Sequence, residues 1–280
     1  MEKGILDIIN DRASCRSFSD KEIPSDLLKQ ILEAAVKAPS GGGFQNYSII
    51  KVTDREKKEQ LVKYGRNQKF IARAPVSLVF CIDYRRMKRI NEAEPAPFAE
   101  TERFTNFWMS VVDTAVCAQT ACLAAEALGL KSVYIGNILN VSDQVSELLK
   151  LPDYVLPSIM VTLGYPLRSP KRSQKYDAEL LVHEEEYHDA EIDQLLSEYR
   201  KKYSDWHMKP NGKNTGTIYK TAAAYHGQDY AELCKKNILE RNSVSPYQYW
   251  FGCYYLEEKG FMGFPEFQAF MEKKGFHWTK

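Results

Sequence analysis

The residues whose types and spacing could do chemistry begin at Arg12-Ala13-Ser14-Cys15-Arg16-Ser17-Phe18. Two guanidinium groups with a hydroxyl between them and an aromatic ring at the end could hold a phosphorylated planar ligand. Arg pairs bidentately with phosphate oxygens and stays charged at any working pH. Taken alone, the same stretch is a solvated basic turn. Ser40-Gly41-Gly42-Gly43 follows one helix later. Without Cβ atoms at three successive positions it lets a ligand approach backbone N–H groups, or serves only as a flexible turn. After Gly164-Tyr165-Pro166, the cations Arg168, Lys171, Arg172 and Lys175 accumulate. A solvated loop is their plain reading and phosphate binding the sharper one. No Ser-His-Asp or Cys-His arrangement stands out, and none of the 5 His has a helical or strand neighbour that suggests a metal site. A side-chain nucleophile and a metal site are therefore not expected.

Hydrophobic periodicity places these residues at the ends of elements. Ile5, Leu6, Ile8 and Ile9 stripe a short first helix that delivers Arg12. Pro24-Ser25 opens a second helix carrying Leu27, Leu28, Ile31, Leu32 and Ala35, and Pro39 stops it. Strands are expected at 47–52, 76–82, 132–135 and 159–163. Thr53-Asp54-Arg55-Glu56 has the capping-box pattern, with Gly65 as the stop, and Ser142 is expected to cap a short helix closed by Pro152. The charged 84–103 stretch, with Pro95 and Pro97, reads as a surface excursion or lid.

The longest apolar segment, 104–128, reads as a helix with Phe104, Phe107, Trp108, Val111 and Val112 on a broad face, then Ala118, Ala121, Cys122 and Ala125 on thin later turns. Such a helix is buried on several sides or lies at a subunit interface. Asp113, Gln119 and Glu126 make it too polar to span a bilayer unaided. A further amphipathic helix is expected at 189–203, ending in Arg200, Lys201 and Lys202, whose plain reading is a solvated helix end. Beyond it the composition changes. Residues 211–216 read as a linker or flap, and the aromatic-rich remainder as helices packed on the main body or on a second subunit. Two near copies, 256–261 and 271–276, would end in left-handed caps at Gly260 and Gly275.

The net charge of +1 marks no nucleic-acid or acidic-membrane partner. The 6 Cys form no C-x-x-C pair and read as buried thiols of a reducing compartment. Asp7 and Asp11 interrupt the opening segment, unlike the apolar core of a secretion signal, so a cytoplasmic location is expected.

Five pieces in this order resemble the FMN-dependent nitroreductases, in particular their larger NADPH-linked nitroreductase and flavin-reductase branch. They are Arg12 to Phe18, Pro39 to Gly42, Gln45 to Asp54, Tyr134 to Asn137 and Leu151 to Pro166. The resemblance implies an α+β fold with a central, mostly antiparallel sheet wrapped by helices, assembled as a domain-swapped homodimer with FMN at the interface. It implies an FMN-binding domain over 1–204 and an aromatic-rich helical extension over 205–280, of which 205–244 departs from the family pattern. Arg12 would hold the FMN phosphate, Ser14 the ribityl or phosphate region, and Arg16 the pyrimidine edge. Pro39, Ser40, Gly41, Gly42 and Gln45 would border the cofactor, with Gln68 at the polar edge of the ring. Tyr134, Ile135, Gly136 and Asn137 would lie near flavin N5, and Lys171 with Arg172 would close on the phosphate, unless Lys175 replaces Arg172 there. Ala13, also in this set, stands where many relatives carry a basic or polar side chain. The reaction implied is a ping-pong hydride transfer from NADPH or NADH to a small-molecule electron acceptor such as a nitroaromatic, quinone or flavin. A dehydrogenase or dehalogenase on the same scaffold, or a flavin-binding module without turnover, are the alternatives.

Overall fold

The computed structural model describes residues 4–256 and 260–278. The chain divides into two compact units, Met1–Arg172 with Met262–Lys280, and Ser173–Phe261. The change of composition near 205 falls inside the second of them.

Along the chain the elements are α1 (Ile5–Asp11), α2 (Ser25–Ala35), β1 (Tyr47–Val52), α3 (Arg55–Tyr64), α4 (Phe70–Arg73), β2 (Val76–Asp83), α5 (Tyr84–Ala93), α6 (Phe104–Ala127), β3 (Lys131–Ile135), α7 (Ser142–Leu148), β4 (Val155–Gly164), α8 (Ala178–Leu181), α9 (Ile192–Lys202), α10 (Gly212–His226), α11 (Gln228–Arg241), α12 (Pro246–Tyr249) and α13 (Phe264–Lys273).

The first unit is built on one sheet of order β1-β2-β4-β3 in which every neighbouring pair is antiparallel. β2 is buried along its whole length and β4 nearly so, which accounts for their largely apolar composition on both faces. Buried Ser77 and Thr162 satisfy each other across that pair at 3.0 Å. β4 begins four residues earlier than expected, because the register shifts between Phe80 and Cys81, where Pro157 stands opposite Cys81. A bulge lets a strand pass through a proline that cannot donate.

α6 lies across the sheet and against α2, burying Cys117, Ala118, Ala121, Cys122 and Ala125 in a core with Ile31, Ala35, Leu78, Phe80 and Val161. Small side chains on those turns allow that close approach. Among the described residues it is the one helix long and apolar enough to cross a membrane, by length and composition alone. Its buried face packs as the core helix of the sheet.

Several local expectations change. Residues 84–93 form a helix, not an excursion: the Asp83 carboxylate accepts the Arg86 N–H at 3.1 Å and caps it. Tyr84 is buried against Phe276, its hydroxyl 3.0 Å from Ser110 Oγ. α3 is capped by Asp54, which accepts the Lys57 N–H at 2.8 Å, one residue after the expected Thr53. Ser142 is the first residue of α7, and its hydroxyl donates to Leu139 O at 2.8 Å.

In the second unit, 211–216 is not a linker. Asn211 and Asn214 exchange backbone-to-side-chain hydrogen bonds at 2.8 and 2.9 Å and start α10. α10 and α11 form a hairpin whose Ile218 and Ile238 pack with Val244 and Cys253. Of the two near copies, the first covers residues 257–259, which lie outside the described residues. The second ends α13, with Gly275 left-handed at φ 89°.

Candidate functional site

Arg12 ends α1, and from there the chain runs extended beside the free edge of β3. Ser14 pairs with Ser132, and Cys15 N–H donates to Ser132 O at 2.9 Å. Phe18 then pairs with Pro166 just past β4, while Ser19 N–H donates to Tyr165 O at 2.9 Å. Buried Ala13, Cys15 and Phe18 point inward, and Cys15 and Phe18 pack with Val133, Ala74 and Phe70. The alternation that buries Ala13 and Cys15 leaves Arg12, Ser14 and Arg16 on the other side of the segment.

The Arg12 guanidinium Nη1 is buried and has no hydrogen-bond partner among the described residues. Arg12 lies close enough to act on Tyr134 and Cys122. Burial pushes the Tyr134 phenol far above its ordinary value, and burial likewise raises the Cys122 thiol, with Arg12 opposing both shifts. Tyr134 therefore stays protonated, donating to Gln119 Oε1 at 3.2 Å. At the far end of β3, a methyl built on Gly136 meets nothing within 4 Å. Asn137 donates to Tyr64 O at 2.8 Å, and Gln68 to Gly65 O at 2.8 Å, so both anchor the turn between α3 and α4. Arg172 reaches back to the end of α1, donating to Asn10 O at 3.1 Å and pairing with Asp11 at 3.4 Å. Lys171 beside it is exposed. Lys175 belongs to the second unit.

The Ser40 loop stands elsewhere, at the approach to β1. Gly41 N–H donates to buried Asp113 of α6 at 3.0 Å. Gly42 takes φ 57°, which suits a residue without Cβ. Gln45 is left-handed too, at φ 52°; its N–H donates to Ser40 Oγ at 3.1 Å, and its side-chain amide donates to Val36 O at 2.9 Å, capping the end of α2. Arg86 binds the Gln45 and Tyr47 carbonyls and holds the loop from outside.

The predicted residues thus fall into two groups. Arg12, Ser14, Arg16, Gln68, Tyr134 to Asn137 and Arg172 gather about the β3 edge. Pro39 to Gly42 and Gln45 gather about the β1 edge. Three strand spacings separate those edges, roughly 14 Å. α6 gives a matching span, since Asp113 and Cys122 lie roughly 14 Å apart along its axis. Asp113 and Arg86, which seat the loop, were not among the predicted residues. An acidic residue inside an apolar helix was the available signal for Asp113. For Arg86 there was none.

Two features of the β3 edge fit a bound FMN: a buried guanidinium nitrogen lacking an acceptor among the described residues, as a phosphate would supply, and open space at the Gly136 backbone. The chain also matches known proteins. The model of the nitroreductase family matches residues 9–165. The oxygen-insensitive NADPH nitroreductase of Salmonella typhimurium is 36% identical over 210 residues, 75% of this chain and 85% of that protein. The NADPH-flavin oxidoreductase of Vibrio harveyi is 33% identical over 223 residues, 75% of this chain and 91% of that one. The solved structure of NfrA2 of Bacillus megaterium superposes with a TM-score of 0.74 at 28% identity, covering 99% of both chains. The 205–244 segment therefore lies within that superposed span.

Proposed function

Because the chain belongs to the nitroreductase family, we propose that it is an FMN-dependent NAD(P)H oxidoreductase acting on nitroaromatics, quinones or flavins. The observation that carries the reading is Arg12 Nη1, buried and without an acceptor among the described residues, on the same sheet edge as the open backbone of Gly136. Arg12 binds the cofactor phosphate, and Arg172, already at the end of α1, closes on it with Lys171. Ser14 donates to the ribityl or phosphate oxygens. Exposed Arg16 would lie toward the pyrimidine edge, where its positive charge would stabilise negative charge on the ring. Gln68 would border the polar edge of the ring, and Tyr134 and Ile135 carry the chain to Gly136, whose backbone would line the hydride-accepting part of the flavin. Bound FMN supplies the acceptance and return of hydride. The protein orients the two substrates in turn and sets the charge around them.

The same reading includes a homodimer. Ile5, Leu6 and Ile9 of α1 and Phe104, Trp108, Met109 and Val112 of α6 are exposed. These exposed apolar side chains are ones that a second copy would cover. With the β1-edge group roughly 14 Å from the β3-edge group, the Ser40 loop of one subunit would complete the site of the other. Residues 169–177 form neither helix nor strand, and this connection would let the second unit of one subunit swap onto its partner. Six free thiols suit the reducing conditions of cytoplasm.

Purified protein is expected to show a flavin absorption spectrum that bleaches anaerobically with NADPH or NADH and recovers with a quinone or nitroaromatic. Colourless protein that FMN does not reconstitute would overturn the reading. Bound flavin that neither nicotinamide bleaches would leave a binding module without turnover. Trp108→Glu should convert a dimer to monomer in sedimentation, and a wild-type monomer would refute the dimer.

A further inference from the structure

The second unit contains a cavity of about 430 Å³ that the chemistry above does not use. Its walls come from one face of α10, from α11, and from α12 with the π-helical turn Trp250–Tyr254 that continues it. π turns are rare and frequently mark functional sites. This one is seated closely on α10. A Cβ on Gly252 would lie 2.8 Å from Ile218 Cγ1, and Thr221 Oγ1 donates to Gly252 O at 3.2 Å. The packing therefore holds the wall in place beside an opening of ligand size.

The chemistry of the lining is selective. Tyr225, Tyr230, Tyr247 and Phe251 ring the opening, and each is substantially exposed, Phe251 by 63%. Tyr247 and Phe251 stand with ring centroids 5.4 Å apart, and His226 and Tyr230 at 4.8 Å. The Tyr225 and Tyr230 hydroxyls have no protein partner among the described residues. The lining contains no Lys, Arg, Asp or Glu. Aromatic walls favour a flat π-system. Apart from His226 the lining offers no cationic side chain against a phosphate or carboxylate, so it favours a neutral ligand.

We propose that this cavity binds a neutral planar aromatic compound bearing a hydrogen-bond acceptor, such as a nitroarene or quinone, at a site separate from the flavin. Only the choice of electron acceptors as ligand class rests on the oxidoreductase reading. The ring stacks against Tyr247 and Phe251, and its nitro or carbonyl oxygen accepts from Tyr225 or Tyr230. The second unit thus has a recognition function of its own, selecting acceptors by neutrality and flatness.

Equilibrium dialysis of nitrobenzene against the full-length, FMN-loaded protein tests this directly. Wild type is expected to hold one more nitrobenzene per chain than Ala222→Trp, in which the indole fills the cavity. Phe251→Ala, a change at an exposed position that leaves folding intact, is expected to weaken that extra site about tenfold. 4-Nitrobenzoate, the same ring with a charge, should not occupy it. Equal binding in wild type and both variants, or equal binding of nitrobenzoate, overturns the proposal. FMN content is read separately from absorbance, so protein lacking flavin would sink the oxidoreductase reading while leaving this binding comparison intact.

Discussion

The two edges of the sheet carry loops of opposite character. At the β3 edge, polar groups are left with capacity: Arg12 Nη1 has no partner among the described residues, and the space beside Gly136 is open. At the β1 edge almost every polar group is already engaged. Gly41 binds Asp113, Ser40 binds Gln45, Gln45 binds Val36, and Arg86 clasps the carbonyls. The difference separates a receptor from a wall. Residues that bind a ligand must keep hydrogen-bonding capacity in reserve, whereas a loop that shapes a surface is most useful when its own bonds hold it still.

That contrast breaks most visibly at Arg12. Arg12→Ala should weaken FMN binding by roughly 30- to 100-fold, the loss of about 2–3 kcal/mol of charge-assisted bonding. Its thermal stability without FMN should barely move, and unchanged FMN affinity in dialysis would show that the free nitrogen is no receptor. Asp113→Ala tests the wall. It strands the Gly41 N–H and should lower the unfolding free energy in urea by about 2 kcal/mol, with a smaller effect on FMN in the assembled protein. Gln45→Ala sharpens the distinction further, because the family resemblance places Gln45 at the cofactor and the structure places its amide on α2. The expected outcome is a stability loss of about 1 kcal/mol with FMN affinity retained. The reverse result would move Gln45 into the receptor.

The smallest effect concerns pH. Burial pushes Cys117, whose thiol donates to Ala35 O at 3.3 Å behind the Ser40 loop, up to about 11 from its ordinary 9.0. The unfolded thiol therefore ionises first. Its contribution to stability is complete below pH 9 and is lost as pH rises toward 11, by at most about 1.4 kcal/mol per unit. Denaturation at pH 8 and pH 10 should show a fall that Cys117→Ala reduces, and an identical fall in both proteins would assign it to other groups.

Much of the frame was legible because its signals are local. The apolar runs of β1 and β2 and the long face of α6 lie where periodicity puts them. The Arg12 segment was recognisable as chemistry from residue types alone. What could not be read depended on partners far along the chain. The Asp113 bond to Gly41 joins residues 72 apart. The orientation of Gln45 follows from a left-handed backbone that no motif announces. The α5 helix was obscured by Pro95 and Pro97, which lie beyond its end, and α10 by a Gly-rich composition that two reciprocal Asn bonds override.

α6 touches both groups, with Asp113 under one and Cys122 near the other. It therefore works as a ruler with a built-in protractor. Deleting a single residue between those positions would shorten the span by only about 1.5 Å but would swing one end about 100° around the axis relative to the other. Asp113 could then face the loop only if Cys122 left the sheet. Insertions and deletions in this molecule should accumulate in the turns and in the connection between units, and the stretch of α6 between its two ends should tolerate substitution while refusing any change of length.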